Sequence, residues 1–375
     1  MLLISPSYTL GGVEKQALML CDFFRNNNFE VHYACIRGGE GPLHKKLKSL
    51  NVITHFFTPL SSLSKVGLLG RVKIILKYIV FIRKISPELI YPFTEPINIL
   101  TNALKPILGV KKIVYSMRSG YIIQNPVNRL SKLAKLWGPI YVSNSKHGAK
   151  LQADFLQVPL GKFTIIPNAI QNSKSEKNQT NWRKKLGLNQ DAFVYLMVAN
   201  FYEEKNHALL IKAWPKVLNH FPNSKLVLVG SPGPFDKHYF KIKALAFDLK
   251  LHESVIFLNE VEMVLSLMLE ADCGIHLSYS EGCPNVVLEF LMSNNVFIGS
   301  NIPAITEILD EDYPLLVENN DEDKLAEKMI EVQSNSTSFE KHRKKNFQYV
   351  SQHYSVEAFE KKYETVFKKQ GVLSN

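Results

Sequence analysis

Short apolar runs alternate along the whole chain with longer stretches of helical period. The first run, "LLIS" at residues 2–5, leads through a glycine-containing loop into an amphipathic stretch from about Val13 to Asn26, and a second run follows at 30–36. A strand, a loop, a helix and a strand in this order are typical of the start of a doubly wound α/β domain. Further strands are predicted at 89–93, 112–117, 139–145 and 163–168.

A second series of the same kind begins near the middle of the chain. Its predicted strands are almost continuously apolar, as strands covered on both faces of a parallel sheet require. Residues 171–183 before it are polar and show no apolar period, which is typical of a linker. The predicted strands of this series are 193–200, 225–230, 255–259, 273–278 and 295–300.

These patterns predict an α/β protein with two doubly wound, Rossmann-like domains that face each other across a cleft. A chain of 375 residues is also too long for one ordinary core. We place the first domain at 1–170, the linker at 171–183 and the second domain at 184–352. The remaining segment, 353–375, contains one more helix, which could pack on either domain.

Charge is distributed unevenly between the two halves. The net charge is +11, but residues 1–170 hold 22 Lys and Arg against 7 Asp and Glu, a balance of +15. A basic half of this kind indicates a face that meets an anionic surface. Because the chain shows no nucleic-acid motif and no interleaving of basic and aromatic residues, an anionic membrane is favoured and no nucleic-acid partner is expected.

The stretch "SKVGLLGRVKIILKYIVFIRK" at 64–84 predicts a basic amphipathic helix within the first domain. Such a helix could lie in an anionic membrane interface. Alternatively, it packs on its own sheet and leaves a solvated basic face. The predicted faces are Lys73, Lys77 and Lys84 on one side, and Ile75, Tyr78, Ile79 and Ile82 on the other.

The sequence shows no clear targeting segment and no clear metal-binding motif. We predict neither a signal peptide nor a transmembrane helix, since no window holds 18 uncharged apolar residues. The four cysteines form no CxxC pair, and no histidine cluster accompanies them. We therefore expect no metal site, and a cytoplasmic protein that can attach peripherally to the inner face of the membrane.

Loops that follow strands carry the candidate binding chemistry, because ligands of doubly wound sheets bind beyond the carboxyl ends of the strands. "GGVEK" at 11–15 offers glycines that let the backbone approach a phosphate or a sugar, although a plain turn is more common. Lys205, near a predicted helix start, could reach a diphosphate, with a solvated lysine as the alternative. "VGSPG" at 229–233 is a third such loop, again with a simple turn as the alternative.

The stretch "GIHLSYSEGCPNVVLEF" predicts a strand, a turn and a helix. Pro284 suits the first helical turn, and Asn285 or Ser280 could cap it. Glu281 would lie in the turn, with Glu289 about two helical turns further along. A carboxylate can accept hydrogen bonds from two hydroxyls of a sugar or ribose, and the helix start suits a phosphate. Alternatively, Glu289 merely faces solvent.

The ordered set of motifs resembles the group-one family of retaining glycosyltransferases, which have the two-domain GT-B fold. The Glu-x7-Glu motif of that family stands here as "EGCPNVVLE". Each piece is weak by itself, but together the pieces follow the family's order and spacing over nearly the whole chain. The others are "GGVE", "SNS", "IPNAI", "EKNH", "LVLVG" and "SNIPAITEIL".

The resemblance implies roles for particular residues. Glu281 would hold hydroxyls of the donor sugar, Glu289 the ribose, and Lys205 would neutralise the leaving diphosphate. Backbone near 258–261 would contact the base, and the last helix would cross back to the first domain. The implied donor-binding set is Gly11, Gly12, Asn200, Gly230, Val261, Glu281, Gly282, Cys283, Pro284, Asn285, Val286 and Glu289.

Three departures from the family pattern stand out. Asn200 occupies a position that is often arginine, so one phosphate-binding cation is missing. Arg118 stands where histidine is frequent and could supply a cation or hold an anionic acceptor, so the predicted catalytic set is Glu281, Lys205 and Arg118. Residues 302–304, "IPA", replace the usual pair of glycines and change the shape of that loop.

The function implied by the resemblance is retaining, metal-independent transfer of a sugar from a nucleotide diphosphate sugar. UDP is the expected nucleotide, and no cofactor is expected. The acceptor would be a glycan or a lipid-linked molecule in bacterial surface polysaccharide or lipopolysaccharide biosynthesis. Retention would proceed by front-face attack helped by the leaving phosphate. The alternatives are a nucleotide-sugar epimerase of the same fold and a non-catalytic relative that binds membrane or glycan.

Overall fold

The chain forms two compact units in the computed structural model. Unit 1 comprises Met1–Ala169 together with Val356–Asn375, and unit 2 comprises Ile170–Ser355. The last helix therefore belongs to the same unit as the first strand. The structure describes residues 1–8, 11–37, 39–63, 65–122, 126–171, 181–232, 237–259, 261, 264–309 and 313–374.

Unit 1 is built on a parallel sheet with seven strands among its described residues, in the order β3-β2-β1-β4-β5-β6-β7. The order reverses direction between β1 and β4, as in a doubly wound domain. Its strands are β1 (Leu2–Ser5), β2 (His32–Cys35), β3 (Ile53–Phe56), β4 (Leu89–Pro92), β5 (Lys112–Met117), β6 (Ile140–Ser143) and β7 (Thr164–Ile165). Its helices are α1 (Gly12–Asn26), α2 (Pro42–Ser49), α3 (Leu68–Ile85), α4 (Glu95–Ala103), α5 (Lys105–Leu108), α6 (Ser131–Ala134), α7 (Lys146–Leu156) and, at the end of the chain, α16 (Val356–Lys369).

Two cores cover the two faces of this sheet, because successive side chains of a strand point to opposite faces. Leu3 of β1 joins the core formed with α1, α2 and α16. Its neighbours Leu2 and Ile4 join the core formed with α3, α4 and α7. The predicted inner face of α3 is confirmed, since Tyr78 and Ile82 are completely buried there.

Unit 2 repeats the plan with a six-stranded parallel sheet in the order β10-β9-β8-β11-β12-β13. Here the order reverses between β8 and β11. Its strands are β8 (Val194–Val198), β9 (Lys225–Val229), β10 (Val255–Leu258), β11 (Cys273–His276), β12 (Val296–Ser300) and β13 (Leu316–Val317). Its helices are α8 (Trp182–Lys185), α9 (His207–His220), α10 (Lys237–Asp248), α11 (Val264–Glu270), α12 (Asn285–Met292), α13 (Pro303–Thr306), α14 (Glu322–Ser334) and α15 (Glu340–His353).

One edge of each sheet differs from the predicted strands. β3 and β13 have no predicted counterpart: β3 is a partly exposed edge strand with a mixed polar sequence, and β13 has only two residues. Residues 172–180 of the predicted linker lie outside the described part of the chain. Its end belongs to unit 2, because Trp182 begins α8 and is buried in that core.

No helix within the described ranges is long and apolar enough to cross a membrane. The four cysteines are all free and buried.

Candidate active site

A cluster of charged groups in unit 2 lies where the strand order of its sheet reverses. Lys205 follows β8 in a single 3₁₀ turn, Glu203–Lys205, just before α9. Glu281 follows β11, the strand paired directly with β8. The carboxyl ends of parallel strands meet at one edge of the sheet, so two residues 76 positions apart come together. This reversal point is the usual ligand position in a doubly wound sheet.

Lys205, Glu281 and His276 form one connected cluster at this edge. Lys205 Nζ donates to Glu281 Oε1 in a short ion pair. The same oxygen accepts from His276 Nε2 at 2.9 Å, which assigns the imidazole proton to Nε2 because an ionised carboxylate can only accept. The side chain of Glu281 is 15% exposed and that of His276 only 2%. The cluster is therefore largely buried, but the side chains of Lys205 and Glu281 remain partly accessible to a ligand.

These contacts keep Glu281 ionised. Burial by itself would raise the pKa of Glu281, but the hydrogen bond and charge of His276 and the charge of Lys205 outweigh it and lower the pKa to about 2. A carboxylate with so low a pKa holds no proton at neutral pH and is a poor general base. Its remaining lone pairs suit it to accept hydrogen bonds from hydroxyl groups.

Backbone bonds fix the two loops that carry the cluster. The Tyr279 amide donates to the Glu204 carbonyl at 2.9 Å, and Ser278 Oγ donates to the same carbonyl at 3.2 Å. The loop after β11 is thereby held against the loop after β8. Asn206, with φ of 53°, provides the left-handed turn that lets α9 begin directly after Lys205. The distance between the lysine and the glutamate is thus set by backbone as well as by charge.

Helix α12 begins at the same edge of the sheet. A Cβ at Gly274 of β11 would lie 2.4 Å from the Phe290 ring, so glycine lets the helix pack closely on the strand. The predicted cap by Asn285 or Ser280 is wrong: Pro284 occupies the N-cap position, and no side chain caps the helix. Glu289 lies on α12 and is half-buried, so the alternative of a side chain that simply faces solvent does not describe it.

The turn before α12 contains the other predicted donor-binding residues. Gly282, Cys283 and Pro284 are buried, whereas Asn285 and Val286 are half-buried at the start of the helix. These predicted donor-binding residues thus belong to the same short segment as Glu281. The structure brings Glu281, at the start of this segment, together with Lys205.

Asn200 and Gly230 lie at the ends of the neighbouring strands β8 and β9. Asn200 is exposed, and its side-chain oxygen accepts from the Ser231 amide at 3.1 Å. A Cβ at Gly230 would lie 2.0 Å from the Ala199 carbonyl oxygen, so only glycine allows the two loops to pass. Val261, further along this edge, is partly buried against the core of unit 2.

The predicted glycines of unit 1 stand at the start of α1. Gly11 is the N-cap residue and Gly12 the first helical residue, directly after the first strand and its loop. A Cβ at Gly11 would lie 2.7 Å from Glu14 Oε2. Glu14 is buried, accepts from Ser7 Oγ at 2.9 Å, and has its pKa raised by burial. The sequence motif "GGVE" contains this glutamate, which we did not predict as a site residue.

Arg118 lies inside unit 1 in a network of neutral groups. Its guanidinium donates to Tyr363 Oη at 2.8 Å, to Tyr91 Oη at 3.1 Å and to Asn168 Oδ1 at 3.1 Å. The guanidinium carbon also lies 5.0 Å from the centre of the Phe93 ring, a cation–π distance. Arg118 thus joins the last helix, α16, to the sheet. A catalytic role for Arg118 stays a prediction.

His276 is the cluster member that sequence reasoning missed. It is the polar exception in a buried strand, five residues before Glu281, and that position at the end of the strand was the available signal. His207, which opens α9, is completely buried and stacks on Phe201 with ring centres 4.4 Å apart. Burial lowers the pKa of His207 to about 3, so it is neutral and a weak base.

Metal binding was expected to be absent. Among the residues that the structure describes, no group of three or more His, Cys, Asp or Glu could hold a metal ion.

Comparison with known proteins agrees with this fold. Residues 178–352 match the family model described as "Glycosyl transferases group 1". The chain is 21% identical over 337 residues to an Escherichia coli UDP-Gal:alpha-D-GlcNAc-diphosphoundecaprenol alpha-1,3-galactosyltransferase, covering 86% of this chain and 85% of the relative. The Escherichia coli O-antigen biosynthesis glycosyltransferase WclY is 28% identical over 155 residues, 41% of this chain and 42% of the relative.

A solved structure matches along almost the full length. The Anabaena protein HepE, crystallised with UDP and glucose, has a TM-score of 0.82 at 16% identity, covering 98% of this chain and 99% of that protein. The predicted fold class, α/β with two doubly wound domains of GT-B type, is confirmed. The family match and the named relatives indicate a glycosyltransferase. The family match places the segment 178–352 in group 1, as predicted.

Replacing His276 by Leu is expected to move the acid unfolding of the protein to higher pH. Glu281 has its pKa lowered from 4.5 to about 2, so its contribution to stability is complete above 4.5 and is lost as the pH falls through about 2. Without the His276 hydrogen bond, the pKa of Glu281 moves back toward its ordinary value, so the carboxylate stabilises the folded protein less at neutral pH and less stability is lost between pH 4.5 and about 2. The measurement is the urea midpoint as a function of pH from about 2 to about 7.

His276→Gln is the matched control, because its amide can still donate near the position of Nε2. It should follow the wild type, and His276→Leu should give no additional shift when Glu281 is already Gln. Parallel pH curves for the wild type and His276→Leu would contradict the coupling.

Proposed function

We propose that this glycosyltransferase moves a sugar, with retention of configuration and without a metal, from a UDP-sugar to a lipid-linked glycan acceptor. The process would be bacterial surface polysaccharide or lipopolysaccharide biosynthesis. The observation that carries the proposal is the Lys205–Glu281 ion pair at the reversal point of the unit 2 sheet. That edge of a doubly wound sheet is where a nucleotide would bind.

Glu281 supports the sugar-binding part of the proposal. Both of its hydrogen bonds from protein groups described here, from Lys205 and His276, end on Oε1. A carboxylate has lone pairs for about four hydrogen bonds, so Glu281 has capacity to accept from sugar hydroxyls. Because its pKa is about 2, it would orient the sugar and would not remove a proton from the acceptor. That assignment leaves proton removal to the leaving phosphate, as front-face retention requires.

The surroundings of Lys205 support the diphosphate part. An ammonium group has three N–H donors, and one of them serves Glu281. The N-termini of α9 and α12 lie at the same edge, and helix N-termini favour anions. Lysine and helix ends together can neutralise the charge that develops on a departing diphosphate, which is the part that a metal plays elsewhere.

Known relatives support the choice of donor and acceptor. The Escherichia coli relative is named for UDP-Gal as its donor and for a diphosphoundecaprenol-linked acceptor. The Anabaena structures are described with UDP and with UDP-glucose. We extend the uridine nucleotide and the lipid-linked acceptor to this chain. The sugar itself is left open.

Calorimetric titration with UDP, GDP and ADP tests the nucleotide site. We expect UDP to bind, and Glu289→Ala to weaken that binding about tenfold or more, because a charge-assisted hydrogen bond to ribose is worth about 1.5–3 kcal/mol. Glu327→Ala is the matched control, since Glu327 is an exposed glutamate on another helix of unit 2. Failure of the folded protein to bind any of the three nucleoside diphosphates would contradict a nucleotide-binding site in unit 2.

A further inference from the structure

The outward face of α3 is apolar as well as basic. Four of its side chains, spaced three or four residues apart, follow one stripe along the helix and are exposed to solvent, whereas the opposite face packs into the core of unit 1. The stripe consists of Leu69 at 87% exposure, Val72 at 48%, Leu76 at 58% and Val80 at 66%. Burying such side chains in water-free surroundings stabilises a complex, so their exposure indicates a partner.

Lysines border this stripe along one edge. On a helical projection Lys73, Lys77 and Lys84 lie side by side next to the stripe, and all three are exposed. Long basic side chains at the border of an apolar stripe are typical of helices that lie in a membrane interface. The sequence prediction placed the apolar face on Ile75, Tyr78, Ile79 and Ile82, but those residues pack inward, so any membrane contact has to use the other face.

The same surface continues beyond the end of α3. Arg83 Nε donates to the Ile107 carbonyl at 2.8 Å, which joins α3 to α5. Lys105 Nζ donates in turn to the Trp137 carbonyl at 2.7 Å. Trp137, Leu136 and Ile107 are all exposed. Tryptophan is the side chain most typical of the boundary between lipid headgroups and water, so the surface has an aromatic anchor beside its aliphatic stripe.

A shallow depression between α5 and the Trp137 turn adds a place for a headgroup. It measures about 460 Å³ and has two lysines in its lining. The lining residues are Lys105, Pro106, Gly109, Val110, Lys111 and Trp137. Lysine ammonium groups beside an open depression can hold a lipid phosphate while the neighbouring apolar side chains enter the interface.

Acidic residues are nearly absent from the segment that forms this surface. Residues 65–137 contain 13 Lys and Arg but only two acids, Glu88 and Glu95. Glu95 is buried, and Glu88 is bound to Lys111. The surface is therefore positive apart from the Lys111–Glu88 pair, and an anionic membrane offers both the negative charge and the apolar interior that the stripe needs.

We infer that this surface, defined by the α3 stripe with its lysines and by Lys105, Lys111 and Trp137, docks unit 1 on an anionic membrane. Exposed leucine and valine decide against nucleic acid as the partner, because phosphate contacts make no use of aliphatic side chains. The inference deepens the proposed function, on which its biological setting rests, since a lipid-linked acceptor lies at such a membrane. Docking itself requires no turnover.

Vesicle flotation of the full chain tests the inference. The probes are vesicles of phosphatidylcholine alone and of phosphatidylcholine with phosphatidylglycerol. We expect binding to the anionic vesicles, weakened by added salt. Lys73→Gln with Lys77→Gln should lower the partition coefficient about 30-fold, at about fivefold per lysine. Leu69→Gln with Leu76→Gln should lower it by more than about tenfold.

Two control pairs separate this surface from general charge and hydrophobicity. Lys45→Gln with Lys46→Gln removes exposed lysines from α2 of the same unit, and Phe240→Gln with Phe247→Gln removes exposed aromatic residues from α10 of unit 2. Both should bind vesicles like the wild type. All six exchanged side chains of the tested and lysine control pairs are exposed, so folding is expected to be kept and is checked by circular dichroism.

Several outcomes would overturn the inference. These are no binding to anionic vesicles, equal binding to both kinds of vesicle, α3 variants that bind like the wild type, or capture of single-stranded DNA in place of vesicles. UDP titration of the same preparations distinguishes the two proposals. Flotation without UDP binding would support the docking surface and contradict the proposed function. UDP binding without flotation would support the proposed function and contradict the docking surface.

Discussion

Glu281→Gln is expected to lower the rate of sugar transfer about 10²- to 10³-fold, the usual effect of removing one group that stabilises charge or orients a reacting centre. The amide keeps the size of the side chain but loses the negative charge that holds Lys205 and accepts from His276. The donor sugar would lose its strongest acceptor. The measurement is turnover of UDP-sugars with a membrane extract as the acceptor, followed through released UDP.

Binding of the nucleotide should respond differently from turnover. Since Glu281 is proposed to contact the sugar, its replacement should leave UDP affinity unchanged or raise it, because Lys205 is released from its ion pair for the diphosphate. Glu327→Gln, on the exposed face of α14, is the matched control and should change neither quantity. Full turnover by folded Glu281→Gln would contradict the role assigned to this carboxylate.

Arg118→Met is expected to destabilise unit 1 by about 3 kcal/mol, because three hydrogen bonds from a charged donor are lost at about 1 kcal/mol each, while the two phenols still bond each other. The affected groups belong to Tyr91, Tyr363 and Asn168, so the variant weakens the attachment of α16 to the sheet. Hydrogen exchange measured by mass spectrometry should show faster exchange in β4, β5 and α16. Peptides of unit 2 should exchange at unchanged rates.

Two further variants make the stability prediction specific. Tyr363→Phe should give a smaller loss in the same segments, since it removes only one oxygen from the network. Arg129→Met exchanges an exposed arginine of the same unit and should have no measurable effect. Unchanged exchange in Arg118→Met together with a raised KM would favour the catalytic role that the sequence predicts for this arginine.

Hydrophobic pattern predicted the interior of both sheets because parallel strands covered on both faces have to be apolar along their whole length. β5, predicted at 112–117, has those bounds in the structure. β3 escaped prediction because an edge strand is covered on one side only, and its sequence "ITHF" shows neither a continuous apolar run nor a clean alternation. Strand prediction therefore failed at β3 because its sequence lacks an apolar pattern, whereas the edge strands β7 and β10 were predicted at 163–168 and 255–259.

Sequence spacing alone does not show which structural role a glycine or a proline has. Gly230 looks like part of a phosphate loop, yet its lack of a side chain is already required by the Ala199 carbonyl that passes it. Pro284 fits the first turn of a helix, yet it occupies the N-cap position of α12. In each case the local signal located an element correctly, and the neighbouring segment decided what the residue does there.

The sequence by itself determined the two-unit α/β plan, because strand burial is a property of short segments, and its ordered motifs singled out Glu281, Glu289 and Lys205 as candidate site residues. Only the tertiary structure decided which distant residues meet. Pairing of β8 with β11 brings Lys205 to Glu281 and places His276 beneath it. Helix α3 has apolar residues on two sides, so its sequence alone does not show which side is buried. Its packing on the sheet buries one side and leaves the stripe from Leu69 to Val80 exposed.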